Sequence, residues 1–477
     1  MSKAAAKLIY GPQKRKGFSD NGDVKCESCF RQKLELDRLR EEIKDLKRKL
    51  KHAQQREVIP LGAHTAPSQK FKKKATAEDT AKRGGAVLGH KGVGRPRIER
   101  ASAITEDIAA PETCPECRIA LYAHGVTERG VYDVADSAVQ KKLYLIERRR
   151  CPCCRKVYEN KPQVLPRSLY SNALLSKAAV THYGHGVPMG RVCEMLGPEI
   201  KLGGVLGAMQ KIAKLWEPAL PKLIEEYRSS SVKHADETGW RVDGQPGWSW
   251  LFCSPTVSIF ECQDSRSAKT PRRILGDEPL PGTLVVDRYA GYNKMPCKLQ
   301  YCYAHLLREI KKLDDEFADN AEVISFCVTL GDLLSAAMSL QGQSLTDKEY
   351  YKRALEIVQQ IKHLSMQPTK HLGIQSVQRI FSKREDRLFQ WALDRTVPCH
   401  NNRAERELRQ TVIARKVSFG SQSENGAKAR STLMSIIATA KKRLGSEASV
   451  ERWLAGALTR LALEDVDPAS LLPPVPT

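Results

Sequence analysis

Three acidic residues from separate stretches, Asp236, Asp287 and Glu405, are the side chains best suited to chemistry in this chain. Asp236 lies in VKHADETGWRVDG, a β-type run that breaks at Asp243-Gly244. Asp287 closes the apolar run GTLVVD, where a buried strand would deliver a side chain to the rim of a sheet. Glu405 sits in HNNRAERELR, a helix-start pattern far downstream. Two divalent ions about 3.5–4 Å apart need several carboxylates converging from separate elements, one of them bridging. Mg²⁺ prefers such hard oxygen ligands and keeps waters and substrate phosphates in its shell. Each acid also has a plainer reading. Asp236 and Glu237 could be strand-edge carboxylates, Asp243-Gly244 only a hairpin turn, and Glu405, three residues after Asn402, a capping-box partner.

Basic residues crowd the third acid: Arg403, Arg406, Arg409, Arg415 and Lys416. Arginine forks grip phosphate oxygens bidentately, so this cluster suits a nucleic-acid strand held beside metal, although a solvated charged face would account for some of it. Cys302-x-x-His305 follows Asp287, and His305 in a first helical turn could reach a phosphate or orient a carboxylate, or be a packed structural pair with the cysteine. Cys114-x-x-Cys117 and Cys151-x-x-Cys154 form two knuckles, the arrangement of one structural tetrahedral Zn²⁺ site. Cys153 could stand in for either of its neighbours. Cys26-x-x-Cys29 has no second pair nearby and is left without an assigned role.

The elements that must position these groups divide the chain. Residues 1–30 are a basic tail. Residues 31–56 carry Leu36, Leu39, Ile43, Leu46, Leu50 and Ala53 at the 3-4 spacing of a coiled-coil seam, which favours a homo-oligomer. Residues 57–105 are linker, and within it Gly94-Arg95-Pro96-Arg97 looks like an AT-hook core whose Arg95 and Arg97 would lie in a narrow minor groove. Residues 106–168 hold the four cysteines, with a hairpin expected from VYDVAD and KKLYLIERR. Residues 169–230 read as a helical DNA-binding or connector region, with a helix-turn-helix possible around Val187–Ile212. Strands at 232–242, 247–253, 257–262, 283–287 and 299–303, with helices at 266–275 and 304–314, open a catalytic domain over 231–445. A helical insertion spans about 315–400, and Thr346-x-x-Glu349 predicts a capping box inside it. Residues 446–477 are a C-terminal helix and a loose tail.

The formal net charge of +23 points to a polyanionic partner. Residues 1–100 hold 26 Lys and Arg against 12 Asp and Glu, so +14 of the excess lies there. MSKAAAKLIYGPQKRKG lacks an apolar signal core, and no apolar run approaches the roughly 18 residues of a membrane span. The expectation is a cytoplasmic protein with reduced thiols and no membrane partner, bound to the nucleoid when on DNA.

The blocks HADETGWRVDGQPGWSWLF, VVDRYAGYNKMPCKLQYCYAHLLREIKKL and NNRAERELRQTVIARKVSFGSQSENGAKARSTLMSII resemble, in wording and order, the transposases of the insertion-sequence-66 family. The likeness runs from about Cys114 to about Leu444 and rests on D-E-T-x-W, on D-x-Y-x-x-Y followed by C-x-x-H, and on N-x-A-E-R-x-x-R. It implies an α/β ribonuclease-H-like catalytic domain, so that with the helical insertion, coiled coil and small zinc-binding domain read above the fold expected is multidomain. The expected element order, three antiparallel strands, a helix and a parallel strand, agrees with that fold. The resemblance puts an Asp-Asp-Glu triad on Asp236, Asp287 and Glu405. Two Mg²⁺ or Mn²⁺ ions per active site are then expected, Asp236 bridging both, Asp287 holding one and Glu405 the other. The substrate implied is double-stranded DNA, both transposon ends and target, nicked and then joined through a freed 3′-hydroxyl. Small accessory proteins are implied as further partners. Two other readings share parts of the pattern: a ribonuclease-H-like nuclease that cuts without joining, and a non-catalytic DNA-binding regulator. The intact triad argues against the second.

Overall fold

A computed structural model describes residues 98–135 and 138–476. The basic tail, the heptad seam of 31–56, Cys26, Cys29, Arg95 and Arg97 lie outside these residues. The first described elements are strand β1 (Ile104–Ile108), the long pair β2 (Tyr122–Ala135) and β3 (Ala138–Arg150), and the short β4 (Val157–Glu159). β3 is the centre of this sheet, antiparallel to β2 and β4 and parallel to β1. The hairpin therefore spans the interval between the two cysteine knuckles.

Four helices follow: α1 (Asn172–Ala179), α2 (Met189–Leu196), α3 (Leu202–Trp216) and α4 (Leu220–Ser229). Ser171 starts α1 by accepting the Leu174 N–H on its side chain. α2 and α3 are joined across Gly197, and their buried faces carry Met189, Val192 and Cys193, and Val205, Met209 and Ile212. These faces belong to one continuous core that reaches from Ile98 to Leu472.

The second sheet comprises β5 (Val232–Gly239), β6 (Trp248–Cys253), β7 (Ser258–Gln263), β8 (Thr283–Val286) and β9 (Lys298–Tyr301), in the spatial order β7-β6-β5-β8-β9. β5, β6 and β7 are antiparallel neighbours, whereas β8 and β9 run parallel to β5. Helix α5 (Lys269–Leu275) makes the crossover from β7 to β8. The β5 strand ends at Gly239, earlier than the expected 242. Asp243 and Gly244 both take positive φ, 49° and 67°, the backbone of a tight two-residue turn closed by a Val242–Gln245 bridge.

After β9 come α6 (Tyr303–Glu316), α7 (Ala321–Leu340), α8 (Asp347–Met366), α9 (Leu372–Lys383) and the short α10 (Gln390–Leu393). The Thr346/Glu349 capping box starts α8. By length and composition α7 could cross a bilayer, yet Val323, Phe326, Leu330, Leu334 and Ala337 are buried in the protein core. The chain then returns to the sheet through α11 (Asn402–Ser418), α12 (Glu424–Leu444) and α13 (Glu447–Leu463). Gly420, just past α11, has φ 140°, and a Cβ there would stand 2.2 Å from Arg241 O. Only glycine permits this close pass beside the β5–β6 turn.

Strand β7 lies at the edge of the sheet, and α12 covers that edge with hydroxyls. Ser258, Phe260 and Cys262 donate their N–H groups to Thr439 Oγ1 (3.1 Å), Ser435 Oγ (2.8 Å) and Ser431 Oγ (3.1 Å). Four helical residues advance about 6 Å, close to the roughly 6.6 Å of two strand residues, so one helix face can satisfy alternate strand amides. An edge that would otherwise invite another strand is thereby closed.

The C-terminal segment departs from the loose tail expected of DPASLLPPVPT. Asp467 caps a short turn by accepting the Ala469 N–H, while Ala469, Leu471 and Leu472 are buried. Trp453 Nε1 donates to Leu471 O at 2.8 Å and an Arg443 amino group to Pro473 O at 2.8 Å. The two leucines supply enough apolar surface to dock an otherwise polar segment.

Candidate active site

The register of the parallel pair decides how the two aspartates meet. His234 on β5 pairs with Val285 on β8, and Asp236 and Asp287 each stand two residues beyond that pair. Side chains alternate along strands, so both carboxylates leave on the same side, one strand spacing apart. β5 is the middle strand, which disposes of the strand-edge reading for Asp236.

Glu405 arrives in the first turn of α11. Asn401, at the N-cap, makes no side-chain cap, and Glu405 forms no capping box with it. Instead Asn401 is fully buried and clamps three elements. Its Oδ1 lies 2.9 Å from His234 Nδ1, its Nδ2 donates to Ala235 O at 2.8 Å, and its backbone N–H donates to Cys302 Sγ at 3.1 Å. The strand residue next to Asp236 and the helix turn of Glu405 are thus fixed to each other by one amide. Asn401→Ala would strand His234 and Ala235 O in a dry interior. A stability loss of about 2–3 kcal/mol is expected, read from urea unfolding; a loss below about 0.5 kcal/mol would show that the clamp carries no weight.

Burial and neighbouring charge both act on Asp236. Burial, then the charge of Glu237 and, more weakly, those of Asp287 and Glu405, push the Asp236 carboxyl up to about 7, opposed by the Glu237 N–H on its Oδ1 at 2.9 Å. Because the folded value lies above the unfolded one, this carboxyl lends most stability below about pH 4 and loses it as pH rises through about 7. Asp236→Asn retains the acceptor oxygen and removes the charge. In chelator, it should raise stability at pH 8 by about 2 kcal/mol and change little at pH 4. Melting curves at the two pH values check this; an equal gain at both would refute the electrostatic origin.

The motif words become legible as supports. The Tyr289 N–H donates to Asp287 Oδ1 at 2.8 Å. The Tyr292 hydroxyl donates to Glu237 Oε2 at 2.5 Å, and Arg266 donates to Glu237 Oε1 at 2.7 Å. Burial still pushes the Glu237 carboxyl up, with those two hydrogen bonds pulling it down. Arg266 is sandwiched by Trp248 and Tyr289 at 4.9 and 4.2 Å from the ring centroids, and reaches within 3.9 Å of Asp287 Oδ2. Glu237 is therefore a buried brace for Arg266. Arg266 escaped the sequence reading because no spacing links the DSR of 264–266 to either aspartate.

Around Glu405, His305 Nδ1 lies 3.7 Å from Oε1 and an Arg308 amino group 3.2 Å from Oε2. His305 thus faces the third carboxylate. Arg308 is a further cation at the site, one helical turn after the C-x-x-H word and unremarked in the sequence reading. The five expected cations separate. Arg403, Arg406, Arg409 and Lys416 are exposed on α11, but Arg415 donates to Thr238 Oγ1 (2.9 Å) and Gly239 O (2.8 Å). Arg415 thereby ties α11 to β5 through one guanidinium nitrogen. Glu407 turns the other way, 2.7 Å from Lys442 Nζ and accepting from Ser258 Oγ at 2.5 Å.

At the other sheet, Cys114, Cys117, Cys151 and Cys154 bring four sulfurs within 4.8 Å of one another, and the exposed Cys153 has its thiol beside that of Cys117. A cleft of about 650 Å³ lined by Tyr170, Gly204, Gly207, Lys211 and Lys214 contains none of the acids.

Carboxylates gathered on the central strands of a mixed sheet and ringed by arginines fit an enzyme that processes nucleic acid. The chain belongs to the transposase IS66 family, whose family model matches residues 167–429. That match takes in Asp236, Asp287 and Glu405 and begins after the cysteine knuckles, so it is narrower than the stretch of likeness read from the motif blocks. The chain is also similar to the uncharacterized protein y4jD of Sinorhizobium fredii, 24% identical over 398 residues, covering 74% of this chain and 76% of that protein.

Proposed function

We propose that this transposase binds the ends of its element, nicks them and joins the 3′ ends to target DNA, with Asp236, Asp287 and Glu405 as its catalytic acids. The observation that carries the reading is the placement of the three carboxylates: Asp236 and Asp287 in matching positions on the paired strands β5 and β8, and Glu405 in the first turn of α11, which Asn401 fastens to β5. The strand order, three antiparallel strands followed by two parallel ones, supports a ribonuclease-H-like catalytic domain, with α7 to α10 as its helical insertion.

The site suits Mg²⁺ or Mn²⁺. Asp236 and Asp287 each have one oxygen held by a backbone N–H, and Asp236 is raised first by burial and then by the neighbouring carboxylates, which a bound cation would offset. Asp236, Asp287 and Glu405 are the residues that would hold the ions. Bound metal would supply an activated nucleophile and stabilise the leaving oxygen of an in-line displacement. The chain's own residues do the rest. The two backbone N–H groups fix the aspartates, the Asn401 clamp sets Glu405 against β5, and Arg266 and Arg308 stand where phosphate charge would gather. Exposed Arg403, Arg406, Arg409 and Lys416 on α11 offer a phosphate-binding face. Zn²⁺ in the four-cysteine cluster would be structural. Pairing two ends calls for a homo-oligomer, for which the 31–56 heptads remain the proposed device, with Arg95 and Arg97 as a minor-groove contact and small accessory proteins as further partners.

The test is a labelled end fragment with target DNA and Mg²⁺. Nicked and joined products are expected together; nicking alone at every target concentration would favour a nuclease without strand transfer.

A further inference from the structure

Cys302, His305 and Glu405 bring a thiol, an imidazole and a carboxylate to one point, with a ligand atom of each within 4.8 Å of the others. Cys302 is the N-cap of α6 and His305 stands in its first turn, so the i, i+3 spacing sets both on one side. Glu405 comes from α11 opposite. His305 Nδ1 and Glu405 Oε1 are sealed from solvent, and neither has a hydrogen-bond partner. At 3.7 Å they are too far apart to bond each other. A buried nitrogen and oxygen left this way are costly unless something else satisfies them.

The donors do not match magnesium, which takes oxygen ligands. Sulfur, imidazole nitrogen and carboxylate oxygen together are the set that zinc selects, and three protein ligands leave a fourth position for water. Cys302 would bind as thiolate, releasing its proton to solvent, and the Asn401 N–H already donates to that sulfur. We infer that Cys302, His305 and Glu405 form a second zinc site, and that zinc there inhibits the enzyme by taking Glu405 from the catalytic magnesium. Arg308 holds Oε2 at 3.2 Å. With Oε1 on zinc, neither oxygen of Glu405 remains for another ion. The inhibitory half rests on Glu405 being the third catalytic acid; the metal site does not.

Full-length protein with its four-cysteine cluster filled, dialysed against rising free zinc, should go from about one to about two zinc ions per chain. Cys302→Ala and His305→Ala should each stay at the lower count while keeping the wild-type circular dichroism at the assay temperature, the Cys302 variant with a lower melt because the Asn401 N–H loses its sulfur acceptor. At the zinc level that fills the second site, magnesium-supported nicking by wild type should fall at least about tenfold. The ratio of rates with and without zinc should stay near unity for Cys302→Ala. A zinc count that never rises, or rises equally in both variants, overturns the site. A second zinc that binds without slowing wild type, or slows Cys302→Ala equally, overturns the inhibitory role. Glu405→Gln without added zinc separates this from an error in the triad: if that variant still nicks, the third acid is misassigned, whereas the zinc count is independent of activity.

Discussion

Glu405→Gln is expected to cut DNA nicking at least about a thousandfold, a loss of about 4 kcal/mol in transition-state stabilisation, while end binding stays within about twofold of wild type. The amide keeps the shape and one acceptor oxygen but cannot offer a charged ligand to a divalent ion. Asp236→Ala and Asp287→Ala should lose as much, because no other acid can move into either position. Glu237, the nearest alternative, is held by Arg266 and Tyr292. Glu407→Gln is the matched control: that residue lies two positions along the same helix but is engaged with Lys442 and Ser258. Its loss should lower stability and leave the chemistry of the folded protein near wild type. If Glu407→Gln abolished nicking and Glu405→Gln did not, the third acid would be misassigned. Binding by filter retention and nicking under single-turnover conditions separate the two effects.

The strands of this sheet are legible in the sequence, β8 as the apolar run before Asp287 and β5 to β7 as β-type runs punctuated by turn residues. Val232–Gly239, Trp248–Cys253 and Ser258–Gln263 fall within a few residues of where alternation and turn residues put them. What holds the acids was not legible. Asn401 reads as a helix cap by type and position, yet its amide is spent on His234 and Ala235, a partnership that exists only once α11 lies across β5. Arg266 and Arg308 were equally silent, because a lone arginine in a loop or on a helix face has no spacing that names its partner. Arg415 has a second engagement that its spacing does not name. Its place in a cationic run suggested phosphate, and only the helix-to-strand contact reveals its bonds to Thr238 and Gly239. The serines and threonine of α12 show the same limit: Ser431, Ser435 and Thr439 look like weak helix formers until the amides of β7 are seen beside them.

Freshly purified, unchelated protein is expected to carry about one tightly held zinc per chain, and Cys114→Ser or Cys151→Ser to lose it. The two knuckles repeat one local design. Arg118 and Arg155, each following the second cysteine of its pair, take φ of 56° and 60°, and their N–H groups close onto Cys114 O and Cys151 O at 2.8 and 3.1 Å. The second cysteine of each pair points its N–H at the sulfur of the first, at 3.4 Å in both. Sulfurs about 2.3 Å from a tetrahedral ion lie about 3.8 Å apart, and Cys114 and Cys154 are 3.7 Å apart. Burial opposes ionisation of Cys114, but the Tyr158 hydroxyl, 3.3 Å from its sulfur, and nearby backbone N–H groups bring its thiol down to about 6. Little else holds this end of the hairpin, where the buried cluster is Cys114, Leu121 and Cys151 with Cys117, Cys154 and Tyr158 around it. Removing the ion should therefore open this end of the hairpin, around residues 112–122 and 150–159, to protease while the core around β5 keeps its melt. Cys153→Ser should keep the zinc, since the other four sulfurs already complete a tetrahedral set. Metal analysis beside limited proteolysis decides the matter: protein with no zinc, or a Cys114→Ser variant that binds as much as wild type, would leave the four sulfurs without the role assigned to them.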